Sequence, residues 1–321
     1  LMLNGTLCVP VSSGFDYLAS LTASSALLPE LKTIHLNAGI FRNAGADIVQ
    51  ELAYGLSSGS EYLAQLISRG VNPVLAASKI RFSFSAGPDY FPEIAKLRAA
   101  RLLWSVVLKG YIPEGYEDLC MNIHCITGRW NKTLYDPHVN MLRTQTEAMS
   151  AILGGTDSLT VEPFDTVFRK PDEFSERIAR NQQLILKEEA YFDKVADPAA
   201  GSYYLESLTS LIAEYAWKLF IEIEDQGGYL FALQSDLIQK KLSESAALKK
   251  VDFESGKMKL LGSNLFPDLN EKAPSQIDKE ILFKSEKDEG DLLIQPVRLF
   301  RVSEKYEESR LNKEKGATDK L

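Results

Sequence analysis

Side chains able to do chemistry are sparse in this sequence. Histidine occurs at His35, His124 and His138, and cysteine at Cys8, Cys120 and Cys125. A metal site needs such ligands to converge at short spacings, and the tightest grouping is His124 with Cys120 and Cys125. On one extended strand Cys120 and His124 would share a face while Cys125 points the other way. That group is therefore expected to be structural, and no metal is expected. Neither a G-x-G-x-x-G turn nor a Walker loop occurs, and a G-x-S-x-G nucleophile elbow is also missing. The pair Gly154 and Gly155 is most simply a helix stop leading into a strand.

The bulk properties narrow the function classes further. A net charge of -8 and a pI near 5.2 leave no broad cationic surface to neutralise phosphates, so no nucleic-acid partner is expected. No apolar run approaches the roughly 20 residues that span a bilayer, and the amino end carries no secretory pattern. Three cysteines without C-x-x-C spacing suit free thiols in a reducing compartment. Together these point to a cytoplasmic protein with no membrane partner. With 321 residues, 45% of them hydrophobic, the chain can build one large core or two modest domains.

The elements that must position any site alternate in type through about residue 165. Short β-rich stretches at Thr6–Val11, Thr33–Asn37, Lys79–Ser85, Leu119–Cys125 and Ser158–Val161 are separated by helical patterns at Asn43–Arg69 and Glu93–Leu108. This order favours parallel strands joined by crossover helices. In the strand from Leu119, Leu119, Met121 and Ile123 alternate with Cys120, Asn122 and His124. One face should pack on helices, and Asn122 with His124 should face the interior of a sheet or barrel. Beyond residue 172 the pattern turns helical, over Glu176–Phe192 and Leu208–Asp225, with Gly227 and Gly228 as a helix stop. From about residue 241 charge becomes dense. The stretch Lys305–Leu321 is almost wholly polar and reads as a linker.

Several long stretches resemble the methylmalonyl-CoA mutase family. They are Asn43–Ala53 (NAGADIVQELA), Glu93–Trp104 (EIAKLRAARLLW), Ser175–Gln182 (SERIARNQ) and Asp197–Tyr204 (DPAAGSYY). They run in one order from about residue 33 to 230. The resemblance implies an α/β fold: a TIM-type (β/α) barrel portion with a helical carboxyl-terminal extension. Residues 1–172 would be the later part of the barrel and 173–240 a helical extension packed on it. Residues 241–321 would be a charged linker region before an absent or degenerate cobalamin-type domain. The family's D-x-H-x-x-G cobalamin motif is represented only by Asp136-Pro137-His138, with Met141 where glycine is needed.

Active members carry G-Y-H-x-x-x-A-G-A, whose histidine can hydrogen-bond the thioester carbonyl. Here the segment is Ala38-Gly39-Ile40-Phe41-Arg42-Asn43-Ala44-Gly45-Ala46, so Gly39 and Ile40 occupy the reacting positions and no catalytic residue is assigned. Losing a placed donor commonly costs about 3 kcal/mol of transition-state stabilisation. The CoA-contacting R-L-S corresponds to Lys79-Ile80-Arg81, and H-C-Q-T-S-G-W to His124-Cys125-Ile126-Thr127-Gly128-Arg129-Trp130. Lys79, Arg81 and His124 are thus the candidate substrate-binding residues, and Ile126 in place of glutamine suggests an apolar interior. Retained scaffold with altered reacting positions is the pattern of the family's small subunit. The resemblance therefore implies a non-catalytic heterodimer partner of a catalytic large subunit. Adenosylcobalamin would be held by that large subunit and none by this chain. The alternatives are a mutase acting on a different acyl-CoA and an assembly or regulatory partner.

Overall fold

The structure, a computed structural model, describes residues 11–112, 114, 119–282 and 294–318. Its centre is a parallel four-stranded sheet in the order β1-β2-β3-β4, formed by Ile34–Asn37, Ile80–Ala86, Asn122–Thr127 and Ser158–Thr160. Each strand pairs with the next in sequence, which requires a crossover between every pair. The α/β expectation holds, and the strands fall within a few residues of the expected ranges. The third begins at Asn122 and not Leu119. Residues 6–10 of the expected first strand, with Cys8, lie outside the described residues, and Val11 opens a helix.

The crossovers and flanking helices are α1 (Val11–Ser24), α2 (Gly39–Asn43), α3 (Ile48–Ser68), α4 (Pro73–Ser78), α5 (Tyr90–Tyr111) and α6 (Val139–Leu153). Local chemistry sets their starts. The Asp47 carboxylate accepts from the Gln50 amide while the Gln50 side chain accepts from the Asp47 amide, a reciprocal cap that begins α3. Asn72 caps α4 ahead of Pro73, whose fixed φ suits a first helical turn. The helix expected from Asn43 starts at Ile48, and the short α2 precedes it, ending at Asn43.

Helices continue with α7 (Glu173–Leu184), which runs into a π-helical turn at Ile185–Glu189, then α8 (Tyr203–Asp225), α9 (Gly228–Gln234), α10 (Leu237–Glu254), α11 (Lys279–Leu282) and α12 (Glu304–Thr318). Ser202 caps α8, and Gly227 adopts φ +110 at the stop after it, a conformation that favours glycine. Ile212, Ala213, Ala216, Phe220 and Ile223 of α8 join the same core as the sheet's apolar face, made by Ile34, Leu36, Ile80, Phe82, Phe84, Ile123 and Cys125. Phe82 meets Trp104 of α5 edge-on at 4.8 Å, a geometry worth about 1 kcal/mol beyond area burial.

The tail departs from expectation. Where polar composition reads as a linker from Lys305, the chain forms α12 and buries Glu307 and Leu311. The Glu307 carboxylate accepts from the Leu134 amide at 2.8 Å, from Arg301 at 2.6 Å and from the Ser303 hydroxyl at 2.8 Å. A charged residue that satisfies three buried donors packs inward despite its type.

Candidate functional site

The face of the sheet opposite the core is polar. Parallel register sets His35 beside Arg81, Arg81 beside Asn122, Ser83 beside His124, and His124 beside Ser158. The two-residue periodicity then carries His35, Arg81, Ser83, Asn122, His124, Ser158 and Thr160 to one side. Arg81 Nε donates to Asn122 Oδ1 at 2.7 Å. His35 Nε2 and the Ser83 hydroxyl are hydrogen-bonded. His124 Nδ1 lies 2.8 Å from Ser158 Oγ and its Nε2 lies 3.2 Å from Thr160 Oγ1. A neutral imidazole can donate to one of these hydroxyls and accept from the other. The expectation that Asn122 and His124 share one face is met. The expectation of an apolar lining is not: Ile126 is the exception on a face of cross-strand hydrogen bonds.

Both imidazoles are held below their ordinary value of 6.5, His35 by burial and then the Arg81 guanidinium, and His124 by burial and then His35 and Arg81. The sign of the linkage follows. Above pH 6.5 both states are neutral at these positions, and as pH falls below it the unfolded chain takes up protons first, so stability is lost. Replacing both with asparagine, His35→Asn with His124→Asn, is expected to flatten the decline in urea-unfolding free energy between about pH 7.5 and 5. An unchanged slope would refute that origin.

Of the candidate binding residues, the structure brings Arg81 and His124 together and sends Lys79 elsewhere. Lys79 caps the end of α4 and is 1% exposed. Its Nζ donates to the Ser25 carbonyl at 2.9 Å and to the Leu28 carbonyl, tying down the turn after α1. His35 and Ser83 complete the polar face and escaped the motif comparison. The signal for them was strict alternation in the short strands: His35 with Asn37, and Arg81 with Ser83 and Ser85.

Gly39 opens α2 against β2. A Cβ at this position would lie 2.9 Å from the Ser85 amide nitrogen and 3.3 Å from the Phe84 carbonyl carbon. Those are backbone atoms that cannot turn aside, so a larger residue requires the helix to move. Ile40 packs on the main core. Of the two positions expected to match the reacting pair, one is closed by packing and the other carries an apolar side chain.

Behind this point lies a buried charge cluster. β1 ends with Asn37 paired to Ser83, and two side chains satisfy the backbone of Ser85: Glu51 Oε1 accepts from its amide at 2.6 Å, and Lys96 Nζ donates to its carbonyl at 2.6 Å. Lys96 also reaches Glu51 at 2.7 Å and Glu93 at 2.5 Å, and Arg42 reaches Glu93 at 3.3 Å and Asp89 at 3.1 Å. Burial pulls Lys96 down, but Glu51 and Glu93 outweigh it and hold the ammonium above its ordinary value. Arg42 falls on an unspecified position of the Ala38–Ala46 segment. Its pairing depends on residues 47 and 51 positions away, beyond the reach of local pattern.

The loops that follow the strands are covered by the later part of the chain. The Phe300 amide donates to the Asn43 carbonyl and the Val302 amide to the Trp130 carbonyl. Phe300 stacks on Trp130 at 6.4 Å, and Lys249 of α10 donates to the Ala46 carbonyl at 2.7 Å. In parallel α/β folds the C-terminal ends of the strands are where ligands bind. Here the loops after β1 and β3 lie under the chain's own residues.

The half-motif Asp136-Pro137-His138 enters α6. The Asp136 amide is held by the Glu271 carboxylate, the His138 ring lies 5.3 Å from Phe164, and Met141 sits inside the helix where the motif needs a glycine turn. These residues do not fit a cobalamin site of the D-x-H-x-x-G kind. Among the described residues no group of three or more potential metal ligands converges, and no helix is long and apolar enough to cross a membrane. Cys125 is buried, which pushes its thiol up to about 12, and Cys120 is exposed and unpaired.

Comparison with known proteins gives a consistent result. The family described as methylmalonyl-CoA mutase matches residues 1–305. The chain is 46% identical over 292 residues to the methylmalonyl-CoA mutase small subunit of Porphyromonas gingivalis, covering 90% of this chain and 47% of that protein. It is 42% identical over 243 residues to the methylmalonyl-CoA mutase of Cereibacter sphaeroides (76% of this chain, 34% of that one). To the mutase of Escherichia coli it is 38% identical over 242 residues (75% and 34%). The chain thus spans about half the length of the small subunit it matches and about a third of these mutases.

Proposed function

The chain belongs to the methylmalonyl-CoA mutase family, and from that premise we propose that it is part of a non-catalytic small subunit. In this reading it pairs with a catalytic large subunit as a heterodimer in the cytoplasm. The complex interconverts methylmalonyl-CoA and succinyl-CoA, with adenosylcobalamin held by the large subunit. Residues 1–172 are the later part of a (β/α) barrel, 173–240 a helical extension packed on it, and 241–321 a charged region after that extension, before an absent or degenerate cobalamin-type domain.

The observation that carries this reading is the packing at Gly39 and Ile40. The first leaves no room for a side chain beside the Ser85 amide, and the second offers the substrate no hydrogen-bond donor. The sequential parallel order of β1 to β4 supports the barrel assignment, since consecutive neighbouring strands are the barrel's connectivity. Two measurements test the reading: isomerase turnover of the purified chain, and light scattering of the chain mixed with a family large subunit. The expected result is no turnover alone and a stable one-to-one complex. Failure to associate would remove the proposal.

A second reading, a mutase on a different acyl-CoA, is favoured by the polar face, where Arg81 and His124 lie near His35. Calorimetry with methylmalonyl-CoA and succinyl-CoA separates the two. Saturable heat lost on Arg81→Ala would put the second reading first, and no heat is expected under the first.

A further inference from the structure

We propose that Lys249 is a nucleophilic amine that takes up an acyl group from a thioester, a modification site at the covered end of the sheet. Its surroundings differ from those of an ordinary surface lysine. The amine lies over the Trp130 ring, 4.7 Å from the centroid, and the Arg42 guanidinium lies over the same ring at 5.4 Å. The Lys249 amine and a guanidinium therefore share one aromatic ring. Its hydrogen-bond acceptor is the Ala46 carbonyl at 2.7 Å.

The nearby carboxylates are committed to other partners: Glu51 to Lys96 and the Ser85 amide, Asp89 to Arg42, and Asp47 to the start of α3. On its own helix the neighbouring Lys250 adds a further cation, over Phe300. The ring face of Trp130 favours the ammonium, while burial, followed by Arg42, opposes it. Burial and then Arg42 lower Lys249 to about 7, against Asp47, Asp89 and Glu51. A desolvated lysine beside another cation is a recognised way to activate an amine. The side chain stays partly exposed, which leaves a path for a reagent.

The step balances without a redox partner. The neutral nitrogen's lone pair attacks the thioester carbonyl carbon, the C–N bond forms, the C–S bond breaks, and the amine's proton passes to the departing thiolate. The products are an amide on Lys249 and a free thiol. The new amide keeps one N–H, which can still reach the Ala46 carbonyl. This inference does not depend on the subunit reading above, because it concerns the amine's own environment.

The test is acetylation of the intact folded chain by acetyl-CoA under single-hit conditions, with rates read at each lysine by peptide mass mapping. At about pH 7.5 an ordinary lysine is roughly one part in a thousand free amine, whereas Lys249, lowered to about 7, has a substantial free-amine fraction. Allowing for its lower basicity and partial cover, it is expected to react about tenfold faster than exposed Lys240, Lys257 and Lys259. Its rate should level off above about pH 8 while theirs keep rising towards pH 10. Labelling of Lys249 no faster than the three exposed lysines, or a rate that climbs with theirs, would overturn the proposal. Lys249→Arg supplies the assignment: the fast-labelled peptide disappears while the slow ones remain.

Discussion

Restoring the family's reacting pair with Gly39→Tyr and Ile40→His is expected to destabilise the chain by about 3 kcal/mol and to yield no isomerase turnover. The cost comes mainly from position 39. Even the Cβ of the new side chain would fall 2.9 Å from the Ser85 amide nitrogen, and a phenol ring extends well past it. The neighbours at closest approach are backbone atoms of a central strand, whose displacement would disturb its pairing with β1 and β3. Overpacking of this kind usually costs 1–3 kcal/mol, and backbone obstacles put it at the upper end. Ile40→His alone should cost less, since Ile40 is only partly buried. Urea-unfolding midpoints of the single and double variants measure both. If the double variant were as stable as the parent, the close approach of α2 to β2 would not be the constraint described here. If it turned over methylmalonyl-CoA, the non-catalytic reading would fall.

Removing the ammonium of Lys96 with Lys96→Met is expected to cost about 3–5 kcal/mol, enough to threaten folding of a typical domain. The substitution nearly conserves volume, so packing accounts for little of the loss. What remains is electrostatic. Glu51 and Glu93, 0% and 1% exposed, would keep only the Ser85 amide and the Arg42 guanidinium respectively, and the Ser85 carbonyl would lose its donor. Breaking a buried pair by deleting one partner leaves an uncompensated charge, which costs more than the intact pair contributes. Guanidinium unfolding at neutral pH measures the effect, and a loss under about 1 kcal/mol would mean that water or another cation already serves the two carboxylates.

The two variants probe one region from opposite sides, because Ser85 meets Gly39 at its amide nitrogen and Glu51 and Lys96 through its hydrogen bonds. The strand end is a packed and internally paired junction, which suits the proposed supporting role.

Much of the architecture was legible from residues alone. Alternation in the strand from Leu119 and helical spacing in Asn43–Arg69 and Glu93–Leu108 depend on interactions a few residues apart. Neighbouring side chains thus determine them, and the α/β class with parallel strands follows from their order. The family resemblance was likewise carried by linear stretches, and so was the expectation that Gly39 and Ile40 stand where active members carry tyrosine and histidine.

The tertiary structure alone decided which polar residues meet. Lys79 and Arg81 are two residues apart, yet Lys79 is drawn into the turn after α1 while Arg81 joins His35 and His124. Lys305–Thr318 has a linker's composition, but Glu307 finds three donors contributed by residues 134, 301 and 303. Arg42, Glu51, Glu93 and Lys96 converge from three segments to serve one strand end. The physical reason is common to all of these. A charge is buried only where distant groups supply its hydrogen bonds, and that supply is a property of the packed chain, which no local sequence window contains.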